Sequence, residues 1–298
     1  FTRSCYTTAR IVTVKRPNSC TKNFWKTPLP KIEGDLATAL TLLHKYFEQK
    51  KIPFALIGAL VTAILLPSQI GVRETRDADH VIRVSSWAEW ETVIADLVTV
   101  GFVRSRSEQE HRRHYRTAEI DLIPYGIANG PDEVLVWRKS GNRMNLAGCW
   151  DVFEHAVPGE LTKSLTVPLI PLWLFSVLKI FAYLDRKFPR DLRDLAYVLE
   201  HYESLEMGER RFEIVGAADN VTYENAGAYF LGTDIRTNLS SMAALNMVRD
   251  FLDGVTDEYH PVINTVLREE SLLESGRRRI FVYQLIQACR LGLAGVAE

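Results

Sequence analysis

Two aspartates one residue apart, Asp77 and Asp79, and a third at Asp121 are the side chains of this 298-residue chain whose types and spacing can do chemistry. The Asp-x-Asp pair opens a β-branched run, Val81, Ile82 and Val84, which reads as a strand. Residues two apart on a strand face the same side, so both carboxylates would look into one site and call for a cation. Hard oxygen donors of this kind suit Mg²⁺, with Mn²⁺ as the alternative, the shell being completed by substrate phosphates and water. Asp121 interrupts an apolar stretch of Ile120, Leu122 and Ile123. A buried carboxylate is costly unless partnered, which leaves a metal, a cation or a solvated strand edge to explain it. On its own Asp-x-Asp is weak evidence, because the same string occurs on many solvated strand ends.

The surroundings must position these acids. An apolar run from residue 54 reaches Gly58 and passes into a segment where Leu60, Ile64 and Leu65 share a helical face, giving strand, tight turn and short helix. Amides at a helix start attract phosphate, and glycine permits close approach. Pro67 and Gly71 break that helix, and the string Arg73-x-Thr75-x-Asp77-x-Asp79 leads into the next strand. Upstream, Leu36, Leu40, Leu43 and Phe47 form the stripe of a helix beginning at Ile32. Downstream, a helix over 88–98 ends at Gly101, and Phe102, Val103 and residues 114–117 form a hairpin. From Pro171 to Arg186 a helix carries Leu174, Leu178 and Tyr183, with Lys179 as its interior cation. That lysine either snorkels to solvent, pairs with Asp121 or Asp194, or binds phosphate. Asp191 and Asp194, three apart on the following helix, are placed to hold Lys179, Arg186 or Arg190.

Beyond residue 200 the pattern is helical near 222–231, 240–252, 256–269 and 279–291, punctuated by Gly232, Gly254 and Gly276. The expected architecture is therefore α+β: an N-terminal α/β half with a mixed sheet over 32–168, a bundle-like helical half over 169–298, and a substrate cleft between them.

Composition narrows the class. With 47% hydrophobic residues the chain has a normal globular core, and no apolar run approaches the roughly 20 residues a membrane helix needs. Cys5, Cys20, Cys149 and Cys289 lack paired or metal-ligand spacing, which predicts reduced thiols and a cytoplasmic protein without a membrane partner. A net charge of −1 requires any basic surface to be local. Residues 1–31 contain no acid and seven Lys or Arg, from Arg3 to Lys31, and read as a poorly ordered basic arm. The cluster Arg104, Arg106, His111, Arg112, Arg113, His114 and Arg116 reads as the solvated face of the hairpin, its nearness to Asp121 keeping a phosphate or RNA role open. His80 should face away from Asp79, and Trp87 and Trp90 should pack in the core.

Gly58 before a helix, Asp77-x-Asp79 on the next strand and Asp121 on a later one resemble the polymerase-beta-type nucleotidyltransferase superfamily. The run from Leu178 to Asp194, with Lys179, Ala182, Arg186 and Arg190-Asp191-x-x-Asp194, is similar to the signature of its AbiEii-like branch of abortive-infection and toxin nucleotidyltransferases. The likeness covers roughly residues 54–200. It departs at the turn, where Ala59 stands after Gly58 in place of serine or glycine, so the nearest hydroxyl is that of Thr62.

The resemblance implies transfer of an NMP from an NTP to an acceptor hydroxyl with release of pyrophosphate. Asp77, Asp79 and Asp121 would be both catalytic and metal-binding. The amides at Gly58 and Ala59, with Arg73, Thr75 and Lys179, would hold the triphosphate, and Asp191 and Asp194 would either support those cations or contact the nucleotide. It further implies tRNA or another RNA as acceptor and an antitoxin protein as partner. Two rivals stand beside it: a nucleotide-binding module impaired in catalysis, suggested by Ala59, and a small-molecule transferase of the antibiotic-modifying kind, which acidic pocket residues would favour.

Overall fold

Strand β1 (Phe54–Ile57) is wholly apolar and its last three residues are buried, while β2 (Asp77–Arg83) alternates half-buried and buried positions up to the buried run His80, Val81 and Ile82 and ends at the half-buried Arg83. They pair antiparallel and place Ile57 opposite Asp79. A computed structural model of the chain describes residues 32–66, 77–105, 109–127, 134–202, 208–215, 220–267 and 275–295. The basic arm over 1–31, Arg106, and the segment 67–76 with Arg73 and Thr75 lie outside the described residues.

Helix α1 (Gly34–Lys50) buries Ala39, Leu40, Leu43 and Phe47 and stops where Lys51 turns left-handed, at φ 56°. Between β1 and β2, α2 (Ala59–Leu65) buries Leu60, Val61 and Thr62, a face turned slightly from the expected one, with Ile64 and Leu65 half-buried. Helix α3 (Trp87–Thr99) is capped by Ser86, whose hydroxyl accepts the Glu89 amide. Trp87 and Trp90 both stack edge-on against Trp137.

The expected hairpin is a three-strand meander, β3 (Val103–Arg104), β4 (Arg112–Tyr115) and β5 (Ala118–Tyr125). A second hairpin, β6 (Val134–Val136) with β7 (Arg143–Asn145), stands apart from the main sheet. After α4 (Cys149–Glu154), β8 (Val157–Thr162) and β9 (Leu165–Leu169) return the chain to that sheet. No alternation announces these last two strands. They carry Pro158 and Pro168, which sit opposite each other, and β8 tolerates its proline because it is an edge.

The seven-stranded sheet has the order β3-β4-β5-β2-β1-β9-β8. It is mixed, as the sequence leads one to expect: β2 runs parallel to β5 and β1 to β9, and the other neighbours are antiparallel. One face is covered by α1, through His44 on His80 and through Phe47 on Phe54. Asp77 and Asp79 look out from the other face, toward α5 (Leu172–Arg186) and α6 (Pro189–His201).

The chain then completes its helices with α7 (Gly208–Ile214), α8 (Ala226–Asn238), α9 (Met242–Asp253), α10 (Pro261–Leu267) and α11 (Ser275–Ala294). Among the described residues no helix is long and apolar enough to cross a membrane. Of the glycines expected to punctuate these helices, Gly254 does cap α9, whereas Gly232 lies inside α8 and Gly276 in the first turn of α11. Gly232 is there for packing. A Cβ at that position would overlap the carbonyl of Cys289 on α11, and one at Gly292 would overlap the carbonyl of Tyr229 on α8. The two backbones meet where neither residue has a side chain, and α8, buried over most of its surface, becomes the centre of the helical layer.

Gly232→Ala should therefore destabilise the protein by about 3 kcal/mol, because backbone cannot retreat as a flexible side chain would. Gly276→Ala, with nothing within 4 Å of the new methyl, should be neutral or slightly stabilising. Urea unfolding of both variants checks the contrast; equal effects would mean the helices can slide apart.

Candidate active site

Four acids form a square on one face of the sheet. The parallel register of β2 and β5 sets Asp79 beside Asp121 and Asp77 beside Glu119. Residues two apart share a face, so the carboxylates project to the same side from neighbouring strands. Asp77, Asp79 and Asp121 line a cleft of about 330 Å³, in the size range of small-molecule sites.

Electrostatics mark the crowding. Burial, together with the charges of Asp121 and Asp77, pushes the Asp79 carboxyl up to about 7, even though Lys179 and Arg186 pull it down. Its carboxylate lies over the α-carbon of Gly58, where a Cβ would overlap Oδ2. Gly58 has φ 77° and ψ −166°, so the turn needs glycine for its backbone as well as for this approach. The glycine thus makes room for an acid of the site, a role the sequence did not suggest. Behind the strand His80 points the other way, as alternation requires. Its Nε2 is 2.8 Å from that of His44, and burial pushes its pKa down to about 3, leaving it uncharged.

Convergence of Asp77, Asp79 and Asp121 on one ion pair is not what the structure shows. Among the described residues no three His, Cys, Asp or Glu side chains form a metal-ligand group. Arg112 engages Asp121 instead. Its Nε and Nη2 each donate to one oxygen of Asp121 at 2.8 Å, and its Nη1 lies 2.7 Å from Glu119. His111 Nε2 lies 3.7 Å from Asp121, its pKa lowered by burial. The hairpin cluster is therefore not a uniformly solvated face: Arg112 is turned into the cleft, and Arg113 is buried, donating to the carbonyls of Glu110 and Arg112. A signal for Arg112 was present in the sequence. The two-residue turn at Arg116 and Thr117 sets the β4–β5 register, which places residue 112 opposite residue 121.

The opposite wall is cationic. Lys179 on α5 faces the same cleft and donates to Asp194, with Asp191 3.5 Å away. Arg186 forks onto Asp191 at 2.8 and 2.6 Å. Asp191 is fully buried between these two cations and positions them; it does not line the cleft. Arg190, Arg193 and Tyr197 extend the wall along α6, at spacings that share one helical face. Ala59 and Thr62 close the cleft at α2, but the Thr62 hydroxyl donates to the Ala59 carbonyl at 2.9 Å.

No protein-family model and no curated protein sequence matches the chain. Among the solved structures that are remotely similar are the following three. The antibiotic-resistance factor ANT(2'')-Ia is 13% identical with a TM-score of 0.32, over 60% of this chain and 92% of its own. A candidate nucleotidyltransferase from Helicobacter pylori is 13% identical with a TM-score of 0.34, over 88% and 96%. The protein JHP933 from Helicobacter pylori is 13% identical with a TM-score of 0.35, over 87% and 91%. Likenesses this weak assign the chain no activity.

Proposed function

We propose that this cleft transfers a nucleotidyl group from a nucleoside triphosphate to an acceptor hydroxyl, with a divalent ion as cofactor. One observation carries the reading: a floor of carboxylates, Asp77, Asp79 and Asp121, faces a wall of Lys179, Arg186, Arg190 and Arg193 across a single cleft. A metal triphosphate needs both, hard oxygen ligands for the ion and cations for the phosphates. The donor set fits the ion at Asp77 and Asp79, adjacent on one strand face, where burial and the neighbouring charges of Asp121 and Asp77 raise the Asp79 pKa. Asp77 and Asp79 would hold such an ion, which would supply positive charge to the phosphates and lower the pKa of the attacking hydroxyl.

The protein's own groups do the rest. Lys179 and Arg186 neutralise the triphosphate and hold its α-phosphate toward the acids, their aim set by Asp191 and Asp194. The acceptor oxygen bonds to that phosphorus, the bond to pyrophosphate breaks, and the hydroxyl proton passes to Asp121. The basic wall supports an anionic acceptor such as RNA over a polycationic small molecule. The sequence likeness to the AbiEii-like branch adds a tRNA end as acceptor and an antitoxin as partner.

Incubation of the protein with total RNA and each labelled NTP in turn, with Mg²⁺, should give label transfer that Asp77→Asn and Asp79→Asn each reduce at least about a hundredfold. Transfer by both variants at the parent rate would sink the reading. Lys179→Ala should raise the Kd for the nucleotide roughly tenfold or more, the size of a lost charge-assisted contact, in isothermal titration.

The sign of the Asp79 shift gives an independent check. Its folded pKa lies above the unfolded value, so its protonated form contributes stability that is present near pH 4 and lost as pH rises through about 7. Asp79→Asn, which stays neutral, should match the metal-free parent at pH 4 and exceed it at pH 8 by on the order of 2 kcal/mol. Thermal melts in chelator at the two pH values measure it.

A further inference from the structure

We infer that Phe188, at the corner between α5 and α6, is the seat on which an unpaired base of the RNA acceptor stacks, with Arg190 beside it taking a phosphate of the same strand. The inference rests on the transfer reading above and names the residues that hold its acceptor.

Neither core packing nor helix capping accounts for Phe188. The residue is 47% exposed and lies outside the hydrophobic core. It occupies the N-cap of α6, where a side-chain oxygen would satisfy a helix amide, and its ring makes no such bond. The ring instead meets two guanidiniums, that of Arg186 at 5.3 Å and that of Arg190 at 5.4 Å from its centroid. Both arginines line the cleft, so the ring stands at its rim, beside the cations that face the triphosphate. The corner is also stiff. Lys187 is left-handed at φ 55°, and Pro189 fixes its own φ and holds Phe188 extended, at φ −79° and ψ 125°. A ring on a backbone fixed from both sides loses little freedom when a base settles on it.

The two arginines differ in a way that assigns them different phosphates. Arg186 is forked onto the buried Asp191 and is committed to the triphosphate. Arg190 is exposed, and among the described residues it meets the Phe188 ring and no carboxylate. An arginine so placed can pair with a phosphate while it stays stacked against the aromatic group. A base on Phe188 and a phosphate on Arg190 are neighbours in one strand, a combination that a polynucleotide presents and a small-molecule acceptor does not. A duplex keeps its bases paired and stacked on one another, so the seat selects an unpaired nucleotide.

Fluorescence anisotropy of the full chain with a labelled single-stranded RNA oligonucleotide, and with the same strand annealed to its complement, tests this at matched salt. The parent should prefer the single strand. Phe188→Ala should weaken the single strand by at least about fivefold, the size of one lost base stack, and hardly change the duplex. Phe188→Trp should bind at least as well as the parent, and Phe188→Leu, which keeps the bulk without the π face, should lose as much as the alanine variant and stands in if that one does not fold. Arg190→Gln should lower the slope of log affinity against log salt by about 0.7, the value for one phosphate of a single strand. Tyr259→Ala is the control, since that aromatic is 67% exposed, carries Arg279 at 5.1 Å and does not line the cleft. Equal losses in Tyr259→Ala and Phe188→Ala, equal losses for strand and duplex, or parent-like binding by both Phe188→Ala and Phe188→Leu would overturn the inference. So would a loss of α,β-methylene NTP binding in Phe188→Ala, measured by isothermal titration, as large as its loss of the strand, because the ring would then serve the nucleotide's own base. A parent that binds this nucleotide with Mg²⁺ but no single strand overturns the inference and leaves the transfer reading standing. A parent that binds the strand with this dependence on Phe188, yet passes it no label from any NTP, removes the transfer reading and with it the strand's role as acceptor.

Discussion

The parallel register of β2 on β5 is the constraint on which the rest of the site depends. It puts Asp79 beside Asp121 and Asp77 beside Glu119, four like charges on one face of the sheet. Such an arrangement is unfavourable unless positive charge is supplied nearby, and the protein supplies it from two directions. Arg112 comes from the next strand of the same sheet, and Lys179 and Arg186 come from a helix far along the chain. Asp79 keeps a raised pKa because burial, with the charges of Asp121 and Asp77, outweighs the pull of Lys179 and Arg186.

The helical layer exists in part to hold those two cations still. Lysine and arginine on α5 would sample many rotamers if solvated, and that freedom would be lost on binding a phosphate. Asp191, buried at the start of α6, and Asp194 one turn on fix both in advance. The α5–α6 connection is short, with Lys187 in the left-handed region and Pro189 opening α6, so the acids are delivered directly behind the cations. Farther back, the side-chain-free contact of Gly232 and Gly292 anchors α8 against α11, and α8 packs on both α5 and α6. Precision at the cleft is therefore inherited from packing well away from it.

Much of this could be read from the chain alone. Strand, turn, short helix and acid-bearing strand follow from hydrophobic spacing broken by Gly58, and the Asp-x-Asp alternation requires that both acids share a face and that His80 take the other. The Lys179 helix and the Asp191–Asp194 helix follow from their amphipathic stripes. These are local properties, set by the geometry of a residue and its near neighbours in sequence.

What only the tertiary structure decided is partnership across distance. Strands β8 and β9, irregular and proline-bearing, become strands because β1 leaves an edge for β9 to join, a pairing no local pattern encodes. Lys179 could equally have snorkelled or met Asp121; the fold of α5 on α6 gave it Asp194 and Asp191. Gly232 looked like a helix end and is a helix crossing, because the difference lies in another helix that approaches it. Arg112 looked like one of several solvated hairpin charges and is the partner of Asp121. Alternation along β4 separates it from Arg113, but only the position of the cleft determines which of the two faces is wet. Sequence alone determined which residues can act and which face each presents; the pairing of charges was decided in three dimensions, because Coulombic and packing terms depend on separation in space.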